Sequence, residues 1–172
     1  FEPLSGPKLG SYFTTNQGST AACTEGVLAG YSVVDVKADF YDGKQHPVDS
    51  KDIAFQMAGK QAFRQAFMEA QPCLLEPILN IEIKVPEEFM GDVMGDMSSR
   101  RGKIMGMDTE GTFQLIKAQA PQSEMYHYST TLRSLTGGRG IHLEKFSHYE
   151  EVPKEMEAKV IAESKISQEE EL

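Results

Sequence analysis

Apolar positions along this chain change period several times, and each change marks an element. Ile78-Leu79-Asn80-Ile81-Glu82-Ile83-Lys84-Val85 alternates, which predicts a strand with Ile and Val on one face and Asn, Glu and Lys on the other. Pro86-Glu87-Glu88 then opens a helix, with proline in the first turn and carboxylates at the positive end of the dipole. That helix runs to about Arg101, with Phe89, Val93, Met94 and Met97 at helical spacing, and Gly102 is expected to end it in the left-handed conformation. Ile104 to Met107 and Thr112 to Ala120 read as strands around the turn Asp108-Thr109-Glu110-Gly111. Pro121-Gln122-Ser123-Glu124 starts a second helix with Met125, Tyr128 and Leu132 on its apolar face, and Thr136-Gly137-Gly138-Arg139-Gly140 stops it. Ile141 to Tyr149 is the last strand, with Ile141, Leu143 and Phe146 as expected core residues. The order β-α-β-β-α-β is that of the split βαβ, or ferredoxin-like, arrangement.

Upstream the pattern is less regular. Thr14-Thr15-Asn16-Gln17-Gly18-Ser19-Thr20 has a polar, linker-like composition with nothing to bury. Gly26 and Gly30 bracket the short apolar turn Val27-Leu28-Ala29. Val33 to Tyr41 is β-branched and partly alternating, which predicts a strand with one buried face. Lys51 to Ala70 carries a helical pattern, with Ile53, Met57, Phe63, Phe67 and Ala70 near one stripe. Gly59 in mid-helix implies close packing, with a strand as the expected neighbour. Between strand and helix, Asp42-Gly43 is a tight-turn dipeptide, Pro47 keeps His46 on extended backbone, and Asp49 or Ser50 can cap the helix. Lys44, Gln45 and His46 are thereby expected near the tip of a protruding loop. Cys73-Leu74-Leu75-Glu76-Pro77 reads as a domain junction. A last helix is expected from Pro153 to about Ser164, then a disordered acidic tail, Gln168-Glu169-Glu170-Glu171. The expected division is residues 1–73, 74–152 and 153–172.

A formal net charge of −9 over 172 residues argues against a general nucleic-acid binder, because phosphate repels an acidic surface. A local basic patch can still contact RNA. The two cysteines, Cys23 and Cys73, have no paired spacing, so neither a disulfide framework nor a cysteine zinc site is expected. No apolar run is long enough to span a bilayer. No Gly-x-x-x-x-Gly-Lys-Ser/Thr occurs in these residues, so they hold no nucleotide-hydrolysing P-loop.

Two segments carry candidate chemistry. His46 is either a solvated loop residue or a contact residue at a tip, and the lack of clustered ligands around it argues against a metal. Ser98-Ser99-Arg100-Arg101-Gly102-Lys103 is the clearly basic run. It serves either to complement the negative end of the preceding helix or to contact phosphate. Gly137-Gly138-Arg139-Gly140 precedes a strand, so no helix N-terminus stands behind it and it reads as a helix stop. Cys73 with His46, His127, His142 or His148 is a weak case for a thiol nucleophile, since a small buried cysteine is the commoner role.

These motifs together resemble the C-terminal part of bacterial translation elongation factor G. Gly26 to Val36 is similar to the segment leading into a strand of that family's domain IV, and Tyr41 to Ser50 is similar to its tip loop. Leu74-Leu75-Glu76-Pro77-Ile78, Gly91 to Asp96, Arg100-Arg101-Gly102, Ser123-Glu124-Met125 and Leu132-Arg133-Ser134 resemble successive motifs of domain V, and Phe146 to Pro153 its closing strand and turn. The likeness runs from about Thr24 to Ser164.

The resemblance implies an α+β architecture: a partial βαβ domain like ribosomal protein S5, a ferredoxin-like domain and a C-terminal helix. It implies a ribosome-binding half of a GTPase that moves tRNAs and mRNA by one codon. Lys44, Gln45, His46 and Pro47 would touch the mRNA–tRNA backbone in the small-subunit decoding region, beside the A-site tRNA. Ser98, Ser99, Arg100, Arg101 and Lys103 would contact large-subunit RNA near the stalk base. Catalytic residues, metal sites and cofactors are expected to be absent from this chain. GTP and Mg2+ would belong to a GTPase domain that these residues do not include. A monomeric cytoplasmic factor without membrane contact is implied. Residues 5–23 are expected to lack the helix that the family places before Gly26, and a second, glycine-rich tip loop is not found, which would leave domain IV incomplete. Alternatives are a ribosome-protection GTPase of the tetracycline-resistance type, from which the Asp-Gly-x-x-His-Pro pattern differs, and a stand-alone ferredoxin-like regulatory or acylphosphatase-like domain, which would need an Arg/Asn pair at a pocket.

Overall fold

The computed structural model describes residues 9–40 and 51–170, with side chains placed for 15–40 and 51–164. Contacts divide the chain into two compact units, Leu75–Val152 and the remainder.

In the first unit, α1 (Leu9–Glu25) and α2 (Asp52–Glu69) pack on one another. Helix α1 occupies the stretch expected to be a linker. Its polar and small residues carry no apolar stripe, so its sequence gives no helical signal. Close approach to α2 holds it instead. A Cβ on Gly18 would sit 2.0 Å from the Gln56 carbonyl oxygen, and one on Gly59 would sit 2.3 Å from that of Thr15. Ser19, buried, donates from Oγ to the Gly59 carbonyl at 3.2 Å, and Ala22 is fully buried. Gly59 is thus a helix–helix contact and not the helix–strand contact expected. Lys60 Nζ donates to Glu25 Oε1 at 2.6 Å, and Arg64 to Glu25 Oε2 at 3.2 Å.

Helix α2 differs from its expected stripe as well. Phe63 is buried and stacks on Phe67 with ring centroids 5.7 Å apart, while Ile53 and Met57 are exposed. The N-cap is Lys51, with no side-chain cap, in place of Asp49 or Ser50. Between the helices, Gly26 (φ +77°) and Gly30 (φ +76°) turn the chain through Val27-Leu28-Ala29, and Val33 N donates to Cys23 O at 2.8 Å. The strand expected from Val33 is not formed over residues 33–40. It has no ladder partner among the described residues, Asp35 takes φ +56°, and Val34 and Val36 are exposed. Helix α5 (Lys154–Glu170) belongs to this unit and accepts a bond from Leu74 N on Glu157 Oε1 at 3.0 Å. It continues through Gln168 to Glu170, where a disordered tail was expected.

The second unit is a four-stranded antiparallel sheet in the order β2-β3-β1-β4, with β1 Leu75–Pro86, β2 Lys103–Glu110, β3 Phe113–Pro121 and β4 Ile141–Glu151. Helices α3 (Met90–Ser99) and α4 (Tyr128–Leu135) follow short 3-10 turns at Glu87–Phe89 and Gln122–Met125 and cover one face. The core joins Leu79, Ile81, Ile83 and Val85 of β1 and Ile116, Ala118 and Ala120 of β3 to Val93, Met97, Met125, Tyr128 and Leu132. Each fully buried Ile, Val or Leu here contributes about 1.5–3 kcal/mol of burial.

The core residues expected on β4 are instead exposed: Ile141 by 69%, Leu143 by 65% and Phe146 by 51%. Ile141 pairs with Lys84 and Leu143 with Glu82, on the face away from the helices, whereas His142 pairs with buried Ile83. Strand β4 lies at the sheet edge; Ile141 and Leu143 point away from α3 and α4, whereas Phe146 pairs with buried Leu79 and is exposed on the helix side.

Candidate nucleic-acid interface

The tip-loop residues Lys44, Gln45, His46 and Pro47 lie outside the described residues. The second candidate segment, Ser98 to Lys103, is fully described, and its geometry begins with the end of α3.

Helix α3 ends in a Schellman motif: Gly102 N donates to Met97 O at 2.8 Å and Arg101 N to Ser98 O at 3.3 Å. The left-handed residue is Arg101, at φ +59°, and not Gly102 as expected. Gly102 is required for another reason, since a Cβ there would fall 2.5 Å from both Met97 Cγ and Met97 O.

The two guanidinium groups turn inward. Arg100 Nε pairs with Asp96 at 2.9 Å, Nη1 donates to the Glu124 carbonyl at 2.6 Å, and Nη2 donates to Thr131 Oγ1 at 3.2 Å. It also lies over the Tyr128 ring, 5.2 Å from the centroid. Arg101 donates from both Nη groups to the Glu76 carboxylate, with Glu124 3.9 Å away. The hydrogen bond to Glu76 raises the Arg101 pKa, against a smaller opposing effect of burial. Arginine therefore ties α3 to β1 and to the turn before α4. Ser98, Ser99 and Lys103 are exposed, with the serine hydroxyls bonded back to Met94 O and Asp96 O. Lys103 has no ion-pair partner among the described residues.

Arg100's anchors Asp96, Glu124 and Thr131 were not singled out from sequence. Asp96 stands four residues before Arg100, a helical ion-pair spacing that could have flagged it. Glu124 reads only as part of a helix start and a family motif, and Thr131 gives no signal, since both are distant from Arg100 in sequence. Beneath Arg100, Tyr128 is buried, with its hydroxyl lacking a partner among the described residues and its ring edge-on to His142 at 5.1 Å. Burial first, then the charge of Asp96, pushes its hydroxyl pKa well above the ordinary value. Cys73 is exposed, not buried, and no histidine is bonded to it among the described residues. Among those residues no group of three or more His, Cys, Asp or Glu is placed to hold a metal, and no helix is long and apolar enough to cross a membrane.

The β2-β3-β1-β4 sheet under two helices defines a ferredoxin-like domain, here bearing an arginine-fastened basic helix end. Comparison with known proteins places it more closely. The family model for the elongation factor G C-terminus matches residues 73–160, and the model for elongation factor G domain IV matches residues 14–71. The chain belongs to the elongation factor G family and carries the C-terminal part of such a translation elongation factor. Elongation factor G of Aquifex pyrophilus is 51% identical over 150 residues, 87% of this chain and 22% of that protein. A crystal structure of a protein from Thermus thermophilus aligns with a TM-score of 0.78 at 40% identity, over 92% of this chain and 24% of that one. The chain thus spans about a fifth to a quarter of the length of these relatives. The domain IV match begins at residue 14, inside α1. About half of the stretch expected to depart from the family, residues 14–23, is therefore part of it.

Proposed function

We propose that this chain is the ribosome-binding C-terminal part of a GTPase that promotes tRNA–mRNA translocation in the cytoplasm, acting as a monomer. The observation that carries this reading is the family match over both segments, together with a tip-loop sequence, Asp42-Gly43-Lys44-Gln45-His46-Pro47, of that family's pattern. Lys44, Gln45, His46 and Pro47 enter the decoding region and touch the tRNA–mRNA backbone. A factor that serves every codon must read backbone and shape in place of base sequence. In the second segment, Ser98, Ser99 and Lys103 are the groups open to large-subunit RNA, and Arg100 and Arg101 position them. GTP and Mg2+ act on a separate GTPase domain of the whole protein.

The test is His46→Ala in the full-length protein. Single-turnover translocation is expected to slow while GTP hydrolysis on the ribosome is unchanged. Equal translocation rates would remove His46 from the mechanism.

A further inference from the structure

We propose that Tyr126 and His127 form a stacking platform for one unpaired base of ribosomal RNA. The proposal rests on the ribosome-binding reading above and adds a site to it.

Tyr126 is 77% exposed, more than any other large apolar or aromatic side chain among the described residues. On an ordinary soluble surface a ring this open would swing freely. Here it is braced. The His127 ring lies against it, with centroids 3.9 Å apart and planes tilted by 56°. His127 takes φ +58°, a left-handed conformation that glycine would adopt without strain. That one residue reverses the chain between two core side chains. Met125 before it is 5% exposed and Tyr128 after it 1% exposed, so the pair between them is thrust outward.

The mount is rigid on both sides. Arg100 grips Glu124 O on one flank and Thr131 Oγ1 on the other, so the turn is fastened to the same guanidinium that closes α3. The turn that carries the aromatic pair is thereby tied to Arg100, within the segment Ser98 to Lys103. The residues that lead into the turn, Gln122 and Ser123, are polar and exposed. A protein-binding hot spot sits within a ring of close-packed residues that exclude water. Two exposed amphipathic rings suit a base, which offers a flat π-face.

The test uses the full-length protein that contains these residues and intact bacterial ribosomes. Binding is titrated by co-sedimentation, and chemical reactivity of the ribosomal RNA bases is mapped in the complex. Tyr126→Ala is expected to weaken binding about tenfold, the scale of one lost base stack, and to unmask one protected base while the other protections stay. Tyr126→Phe restores both. His127→Gly is expected to raise the thermal midpoint, by relieving strain, and yet to weaken binding. A purely structural role would move those two readouts together. Wild-type affinity and an unchanged protection map in Tyr126→Ala would overturn the platform. Lack of saturable binding by the wild-type full-length protein would overturn the ribosome reading itself, and the platform with it.

Discussion

Arg101 reaches from the end of α3 across to Glu76 at the start of β1, and both of its Nη groups meet that one carboxylate. The pair is largely shielded, with side-chain exposures of 29% and 12%. A forked, half-buried pair of this kind outweighs a surface ion pair, because neither partner returns easily to water once the other is removed. It also explains why arginine tolerates a left-handed position that would suit glycine. Arg101→Ala is expected to destabilise the sheet unit by about 1–3 kcal/mol, and Arg101→Gly by about 1 kcal/mol less, since glycine relieves the backbone. Urea unfolding followed by circular dichroism checks both values. Equal losses for the two variants would mean that the left-handed conformation carries no strain.

Two kinds of glycine make opposite predictions. At Gly18, an added methyl would meet the Gln56 carbonyl, so Gly18→Ala should force α1 and α2 apart and cost about 1–3 kcal/mol. Gly95 lies inside α3 with nothing within 4 Å of an added Cβ. Gly95→Ala should stabilise by about 0.5–1 kcal/mol, through helix propensity and reduced freedom of the unfolded chain. Denaturant midpoints of the two variants should therefore shift in opposite directions.

Glu25 links the helix pair to pH. Its carboxyl is held below the ordinary value of 4.5, first by the hydrogen bond from Lys60 and further by the charges of Lys60 and Arg64. A carboxyl with a depressed folded pKa contributes stability that is complete above its unfolded pKa and lost as pH falls through the folded one. The first helix pair should therefore weaken below about pH 4.5, more steeply than in Glu25→Gln, and the two should converge in stronger acid. Thermal midpoints measured from pH 7 downward would show this. A constant gap between the curves at all pH values would contradict it.

Much of the sheet unit was legible in the residues alone. Ile81, Ile83 and Val85 alternate over enough length that only a strand with one buried face fits them, and all three are buried. The same holds for Val93 and Met97 on α3, and for Met125, Tyr128 and Leu132 before and along α4. Local periodicity and turn chemistry suffice where a segment's own pattern is strong. They also mark Ser98 to Lys103 as basic, since charge is read directly. They do not say where a guanidinium turns, and Arg100 and Arg101 turn toward Glu124, Thr131 and Glu76, which only the fold brings near.

What the tertiary structure decided is which face each pattern covers, and which weak segments are made regular by a neighbour. Ile141 and Leu143 alternate as well as any core strand, yet they face away from α3 and α4, because the period of a strand does not state which side a helix will cover. Val33 to Phe40 has the composition of a strand but no ladder partner among the described residues. Helix α1 is the converse: its threonines, glycine and serine favour no helix by themselves, and the fit of Gly18 and Ser19 against α2 makes it one. Left-handed Arg101 and His127 belong to the same class. Sequence points to glycine for such positions; Arg101 is held by Glu76, and His127 lies between the buried Met125 and Tyr128.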